Sequence, residues 1–449
     1  MQKKTIQLSD HFTYSRLLRF VLPCIGTMLF TSIYGIVDGL CVSNFVGKTA
    51  FAAVNLIMPL PMLLGTIGFM LGTGGSAIVG ITLGEGDQKK ADRYFTLFLL
   101  AALVSVSVLA VLGIVFLRPI AVLLGAKGEL LDYAVRYGRI LMVSLPTFAL
   151  QNMFQSFFVT AEKPHLGFWF TVGAGCTNMV LDVLMVGVWG WGVEGAAIAT
   201  FISQLVGGVL PVFYFIDRSN SSRLHLCKTS FYSKVLRDAC INGSSELMTN
   251  LSMSLVNILY NYQLLRLAGE NGVAAYGVIM YAAFLFVAVF VGYAVGSAPI
   301  VSFHYGARNH AEVHNLYRKS LRLIALVAVT LTLASMFIIP CVARIFVGYD
   351  AELLALTSRA FRLYALSFLI MGFNVYASSF FTALGDGVTS ALISFLRTLA
   401  FQVIAILLLP LLLGIDGIWL AVTAAELAAL AVSTAMLLTK DKVFHYRKV

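Results

Sequence analysis

The chain has 449 residues, of which 59% are hydrophobic and only 12% are charged. Soluble domains carry roughly 25% charged residues, so this chain has too few charges to cover the surface of a soluble protein of its length. Disorder is excluded as well, because disordered chains combine low hydrophobicity with high charge. The formal net charge is +10, but the basic residues lie between apolar runs and therefore indicate orientation in a membrane rather than nucleic-acid binding.

Apolar stretches of about 20 residues identify membrane-spanning helices, and the chain contains about twelve of them. We therefore predict an all-α membrane protein. Most lysines and arginines fall in the loops that are cytoplasmic if the N-terminus is, so we expect both termini in the cytoplasm of a multi-pass plasma (inner) membrane protein. In chain order, the predicted spans are 16–40, 51–80, 95–117, 133–160, 166–188, 192–216, 236–265, 272–301, 320–341, 360–383, 388–413 and 416–439.

The second half of the chain repeats the first at an offset of 222 or 223 residues. Gly74 corresponds to Gly296, for example, and the segment 192–195 corresponds to 414–417. Six helices per half give both halves the same membrane orientation, and such parallel repeats are typical of transporters. The predicted units are an N-terminal lobe at 1–216, a cytoplasmic linker at 217–235, and a C-terminal lobe with a short basic tail at 236–449.

Four acidic residues fall at membrane depth, where a charge costs about 2.5–3.5 kcal/mol and normally faces a cavity or a partner. Two of them, Asp38 and Asp182, reach a similar depth in the first half. Asp38 could instead be a solvated residue at a helix end. With the polar side chains of similar depth, the predicted proton- or cation-binding group is Asp38, Asp182, Tyr34, Tyr137, Asn152, Asn178 and Thr200.

The other two deep acids, Glu246 and Glu426, lie in the second half with the equally deep Arg397. They could form an ion pair with Arg397 that holds this half together, or a second site for a cation or substrate. Pro23 interrupts the hydrogen bonding of the first helix and is a candidate hinge, although a static kink is an equal alternative.

Four Gly-xxx-Gly pairs predict close contacts between helices rather than an oligomer interface. They are Gly35 and Gly39, Gly68 and Gly72, Gly80 and Gly84, and Gly292 and Gly296. The sequence contains no convincing nucleotide-binding, metal-binding or nucleophile–histidine pattern, so we expect no enzyme activity and no cofactor. The one metal ion the sequence allows is Na⁺ at Asp38 and Asp182.

Several short segments together resemble the multidrug and toxic compound extrusion (MATE) family. These segments are Tyr34-Gly-Ile-Val-Asp38, Gly84-Glu-Gly-Asp87, Asn178-Met-Val-Leu-Asp182 and Gly195-Ala-Ala-Ile-Ala-Thr200. The resemblance implies two six-helix lobes in a V that export amphipathic, often cationic drugs in exchange for H⁺ or Na⁺. It also implies roles for the first-half polar group, for Pro23 and for Glu246.

Some family members carry an aspartate on the tenth helix, where this chain has Asn374. Its absence favours coupling to protons over sodium. The implied partners are small-molecule drugs, H⁺ or Na⁺ and the lipid bilayer, without nucleic acid, and we expect a monomer. The alternatives are a flippase for a lipid-linked precursor, which needs a more basic central cavity, and, less favoured, an intramembrane enzyme or a receptor.

Overall fold

The computed structural model of the chain describes residues 6–348 and 350–447. The side chains at positions 36, 38–44, 48, 51, 345 and 346 lie outside that description. Nearly every apolar stretch of the sequence is helical, because a helix satisfies all of its backbone hydrogen bonds internally, as lipid requires.

The first half contains six long helices. They are α1 (Tyr14–Phe45), α2 (Pro59–Gly84, preceded by the short helix Lys48–Ile57), α3 (Gln88–Leu123), α4 (Glu129–Thr160), α5 (Pro164–Asp182, prolonged by the π-helical segment Val183–Val188) and α6 (Gly192–Gly208, prolonged by Leu210–Ile216).

The second half begins with one helical stretch, Ser233–Gly306, which Gly269 divides because its φ of +61° is not helical. Residues 233–268 form α7 and residues 270–306 form α8. The remaining helices are α9 (His310–Val347), α10 (Ala351–Ala365 and Phe368–Ala383, bent by 46°), α11 (Gly387–Phe395, the π-helical segment Leu396–Ala400, and Phe401–Leu413) and α12 (Ile415–Thr439), followed by the short helix Asp441–Phe444.

Within the described residues, nine helices are long and apolar enough to span a membrane, or ten when the two parts of α10 are joined. Two further helices bring the number from ten to twelve. One of the nine is divided into two at Gly269, and α4 is long enough to span but is made less apolar by Gln151, Asn152 and Gln155. Each predicted span thus corresponds to one of α1 to α12. The predicted all-α, twelve-helix fold is confirmed.

The internal repeat extends from the sequence to the backbone conformation. Positive φ angles recur at the same points in the two halves, although the residue type differs at two of the four pairs. Residues with a side chain rarely adopt positive φ. Its recurrence at equivalent positions therefore indicates that the two halves form similar turns. The pairs are Gly47 and Gly269, Gly86 and Arg308, Glu162 and Gly385, and Gly192 and Gly414.

The two halves pack together at one end of the molecule, which we call the terminal face. It carries both described chain ends and the turns 84–88 and 306–310. There, Gly80 and Gly84 of α2 lie against Ser302 and Phe303 of α8. The opposite end, with the turns 45–48 and 123–129, is the far face.

The glycine pairs differ in what they contact. Two of the pairs pack between the halves, namely Gly80 with Gly84 and Gly292 with Gly296. The pair Gly68 and Gly72 packs instead on the α4 backbone, at Ala149 and Met153. The predicted close contact is not found for Gly35 among the described residues, where a side-chain carbon would meet no atom within 4 Å. The side-chain environment at position 39 lies outside the described part of the chain.

The apolar cores show where the halves separate. One large core joins residues of both halves and reaches the terminal face through Leu8 and Phe12. Two smaller cores, one around Val54, Leu117 and Val193 and the other around Met142, contain described residues of the first half alone. The first half therefore packs on itself toward the far face and on its neighbour toward the terminal face.

Candidate functional site

Part of the predicted polar group in the first half is assembled by α5 and α6. Asp182 is fully buried at the end of the regular part of α5, and Asn178 is buried one turn before it. The Asn178 Nδ2 group donates a hydrogen bond of 3.5 Å to the Thr200 Oγ1 atom of α6. Residues four apart share a helix face, so Asp182 and Asn178 lie on one side of α5.

Two of the predicted tyrosines lie beside this helix pair. Tyr137 is buried in the apolar core that includes Val186 and Val193. The centroids of the Tyr34 and Phe30 rings are 6.2 Å apart. A side-chain carbon added at Gly175 of α5 would touch the Tyr34 ring. Both rings therefore pack close to the α5 and α6 segments that carry Asp182 and Thr200.

The remaining first-half residues are less closely placed. Asn152 is buried in α4. The backbone of Asp38 belongs to α1, but its side chain lies outside the described residues, so its place in the site stays a prediction. In α1 the Thr27 hydroxyl donates a hydrogen bond of 2.9 Å to the Pro23 carbonyl; this bond does not decide between a hinge and a static kink.

Thr200 also lines a small cavity of about 50 Å³ between α2, α4 and α6, together with Ser144 and Gln204. The polar group therefore adjoins an internal space. Gln204 is not part of the group predicted from the sequence, although it lies four residues after Thr200 and so on the same face of α6.

In the second half, Arg397 pairs with Glu426. The Arg397 Nε and Glu426 Oε1 atoms are 3.1 Å apart, and the glutamate side chain is fully buried. Asn374 Nδ2 donates to Glu426 Oε2 at 2.7 Å, and the Ser433 hydroxyl donates to Asn374 Oδ1 at 2.9 Å. Both carboxylate oxygens of Glu426 thus face a donor group, and both ends of the Asn374 amide are engaged.

Glu246 faces a different space, a cavity of about 110 Å³ between the two halves. First-half residues Thr73, Ser76 and Ser156 form one wall, and Glu246 and Arg397 belong to the opposite wall. Hydroxyl groups complete that wall, since the Ser378 Oγ atom lies 2.9 Å from those of both Ser390 and Ser394. The central cavity therefore has polar side chains in both walls, with an acid and a base on one side.

A second cavity, of about 120 Å³, lies inside the second half. The Tyr260 and Tyr276 rings stack in its wall with centroids 4.9 Å apart, and the Tyr276 hydroxyl donates to Asn257 Oδ1 at 2.7 Å. Arg397 lines this cavity as well as the central one, and Glu426 lines its inner side. Arg397 thus lies between the central cavity, which is lined by hydroxyl groups, and a cavity lined by tyrosines.

Most of the aromatic and hydroxyl side chains that line these cavities were not predicted from the sequence. Tyrosines, serines and threonines occur throughout apolar helices, where they pack or bond to their own helix. A usable signal did exist for Asn257, since an amide in an apolar helix must find a partner or a cavity.

The chain was compared with known proteins. The MatE family model matches residues 23–184 and, separately, residues 247–408. The multidrug export protein MepA of Staphylococcus saprophyticus is 21% identical over 436 residues, covering 96% of this chain and 95% of that protein. MepA of Staphylococcus aureus strain MSSA476 is 21% identical over 441 residues, with the same coverage.

Two solved structures have the same fold. One is described as MATE in complex with MaL6, with a TM-score of 0.92 and 22% identity, covering 99% of this chain and all of that one. The other is described as the outward-facing conformation of a multidrug resistance MATE family transporter of the MOP superfamily; its TM-score is 0.92 at 22% identity, covering 99% of each chain.

Proposed function

The chain belongs to the MatE family, whose model matches both of its halves, and from that premise we propose that it exports amphipathic, often cationic drugs in exchange for protons. It is a membrane transporter and not an enzyme. Its relatives of similar length are multidrug export proteins. The observation that carries the proposal is a set of buried acids beside internal cavities in both halves.

The charges around the cavities favour a cationic substrate. Glu246, Glu426 and Arg397 have a formal sum of −1 when all are ionised, and Arg397 already pairs with Glu426. A cation in the central cavity would meet the acid of Glu246, and aromatic groups could pack on the stacked tyrosines of the adjoining cavity. These three residues are therefore our candidates for the substrate or second cation site.

Proton coupling is supported by the surroundings of Asn374. Sodium needs several oxygen ligands, as hard cations do. The amide nitrogen of Asn374 points at Glu426, and its oxygen accepts from Ser433. Asn374 thus offers one uncharged oxygen, already hydrogen-bonded, at the position where some family members carry an aspartate. We propose the first-half group, with Asp38 and Asp182, as the proton site, and leave Na⁺ there as the alternative.

In the proposed cycle, protons reach Asp38 and Asp182 from outside the cell. Neutralising the two acids bends α1 at Pro23, narrows the cavity and displaces the drug. Release of the protons toward the cytoplasm resets the transporter. Both described chain ends lie on the terminal face, which we assign to the cytoplasm because of the basic loops there. The proposed sites lie within one chain, so we propose that a monomer suffices.

The test is ethidium efflux from proteoliposomes under an imposed pH gradient and, separately, an imposed Na⁺ gradient. We expect efflux with the pH gradient, and a loss of at least tenfold in Asp38→Asn and Asp182→Asn, because neither side chain can then release a proton. Glu129→Gln, at the exposed start of α4, is the matched control and should keep full activity. Full pH-driven efflux in both aspartate variants would show that the proton site is elsewhere.

The flippase alternative predicts a basic cavity for a pyrophosphate group. Among the described residues that line the two larger cavities, Arg397 is the sole basic one, and it is paired with Glu426. This lining favours drug export over the transfer of a lipid-linked pyrophosphate.

A further inference from the structure

Residues 7–13, ahead of α1, lie across the terminal face in a fixed conformation. Gln7 and Asp10 close a turn, in which the Asp10 N–H donates to the Gln7 carbonyl at 3.1 Å. Leu8 and Phe12 are fully buried, in the core that joins the two halves. The segment is therefore packed into the protein rather than lying loosely on its surface.

The first attachment of this segment is to the first half. The Leu8 N–H donates a hydrogen bond of 2.8 Å to Glu162 Oε1, in the turn between α4 and α5. The same oxygen pairs with Arg223 at 2.6 Å, and the Arg223 guanidinium lies 4.9 Å from the centre of the Phe303 ring of α8. Glu162 therefore attaches the segment to the first half, and Arg223 connects Glu162 to α8 of the second half.

The second attachment, four residues later, is to α9 of the second half. The Phe12 N–H donates to Glu312 Oε1 at 2.8 Å, and the Phe12 carbonyl accepts from Lys319 Nζ at 2.6 Å and from Asn315 Nδ2 at 3.1 Å. The other oxygen of Glu312 lies 2.6 Å from His11 Nδ1. Glu312 is 6% exposed, so these charge-assisted bonds are shielded from water.

We propose that residues 7–13 are a latch that holds the two halves together at the terminal face and must release one attachment before a cavity can open there. Four residues of extended chain span at most about 14 Å. Glu162 and Glu312 therefore cannot move apart by a lobe-sized displacement while both hold the segment. The consequence for transport rests on the proposed function, but the opening of this face can be measured without transport.

The experiment is hydrogen–deuterium exchange of the purified full-length protein, followed by mass spectrometry. The peptides of interest cover 74–84 of α2 and 299–306 of α8, where the halves meet. Glu162→Ala removes the first attachment and Glu312→Ala the second. We expect at least twofold faster uptake in both peptides for either variant, and little further gain in the double variant, since releasing one end opens the latch. A far-face peptide covering 130–140 should be unchanged.

Two controls separate a latch from a general loss of stability. Asp10→Ala disturbs the turn of the segment but neither attachment, so it should leave both contact peptides as in the wild type. Glu162→Gln keeps an acceptor oxygen for Leu8 and should retain most of the protection. If Glu312→Ala does not fold, the difference between Glu162→Ala and Glu162→Gln still tests the latch. Faster uptake confined to residues 6–13, with both contact peptides unchanged, would overturn the latch. Faster contact-peptide uptake in a protein that transports no drug would leave the latch standing and reject the proposed function.

Discussion

Arg397 shows at the scale of a single residue how a buried charge is accommodated. Its side chain is 13% exposed and its partner Glu426 is fully buried. Taking two ions out of water is costly, and their attraction compensates only when geometry and extra hydrogen bonds are good. Asn374 supplies such a bond to the second oxygen of Glu426. Because Arg397 also borders both large cavities, the pair can serve structure and substrate binding together.

Removing one member of this pair should be worse than removing both charges. Arg397→Met leaves Glu426 buried without its counter-charge, and we expect the free energy of unfolding to fall by about 3–5 kcal/mol. The double variant Arg397→Met/Glu426→Gln is neutral and keeps an acceptor for Asn374, so it should recover most of that loss. The measurement is the temperature at which half of the purified protein stays monodisperse in detergent. Equal instability of the single and double variants would contradict a stabilising pair.

At the scale of helices, glycines set how closely the halves approach. A side-chain carbon at Gly74 of α2 would collide with backbone atoms of Ala239 and Gly243 of α7. Asn242 reinforces the contact, since its amide donates to the Thr382 carbonyl at 2.9 Å and to that of Gly74 at 3.5 Å. Backbone-to-backbone contact of this kind is how helices associate where lipid removes the hydrophobic driving force.

Gly74→Ala is therefore expected to destabilise the protein by about 1–3 kcal/mol, the usual cost of forcing extra atoms into a packed interior. Gly277→Ala in α8 is the matched control, because a carbon there meets none of the described atoms within 4 Å. Alanine favours the helix by about 0.5–1 kcal/mol over glycine, so the control should be neutral or more stable. Thermal unfolding in one detergent compares them, and a Gly74→Ala protein as stable as the control would refute the tight contact.

The π-helical segments show a second property at the same scale. They occur in α5 and α11, which are equivalent helices of the two halves; one follows Asp182 directly and the other contains Arg397. A π-segment widens the turn and rotates the side chains that follow, and such segments occur often at functional sites. Each half therefore carries an ionisable group where its fifth helix departs from regular α geometry.

At the scale of the whole molecule, the halves must separate at the terminal face for substrate to enter from that side. Gly296 of α8 faces the native Cys24 of α1, and a side-chain carbon at position 296 would lie 3.2 Å from the Cys24 Cβ atom. A disulfide needs about 3.5–4.5 Å between these atoms, so a small adjustment suffices. The single substitution Gly296→Cys is thus enough to allow a disulfide between the two halves.

We expect oxidised Gly296→Cys to lose at least 90% of its ethidium efflux and to regain it on reduction. Cleavage within residues 217–232 should then give two fragments that separate only under reducing conditions. Gly296→Ser and Gly296→Cys/Cys24→Ala have similar bulk but cannot form the link, and both should be insensitive to oxidant. Full efflux by the linked protein would mean that transport does not require the halves to part here.

The sequence by itself determined the twelve spans, the repeat and the short list of acids at membrane depth. Lipid imposes these features locally, through the length of an apolar run and the cost of each charge within it. The bounds of the two lobes and the linker at 217–235 stay predictions, although residues 217–232 do lie between α6 and α7. The tertiary structure decided which acid pairs with Arg397, because Glu246 and Glu426 have similar depths and only the packing of α11 against α12 distinguishes them. It also decided the place of residues 7–13, since the partners Glu162 and Glu312 lie 154 and 300 residues away in the chain, and no local pattern records a contact of that range.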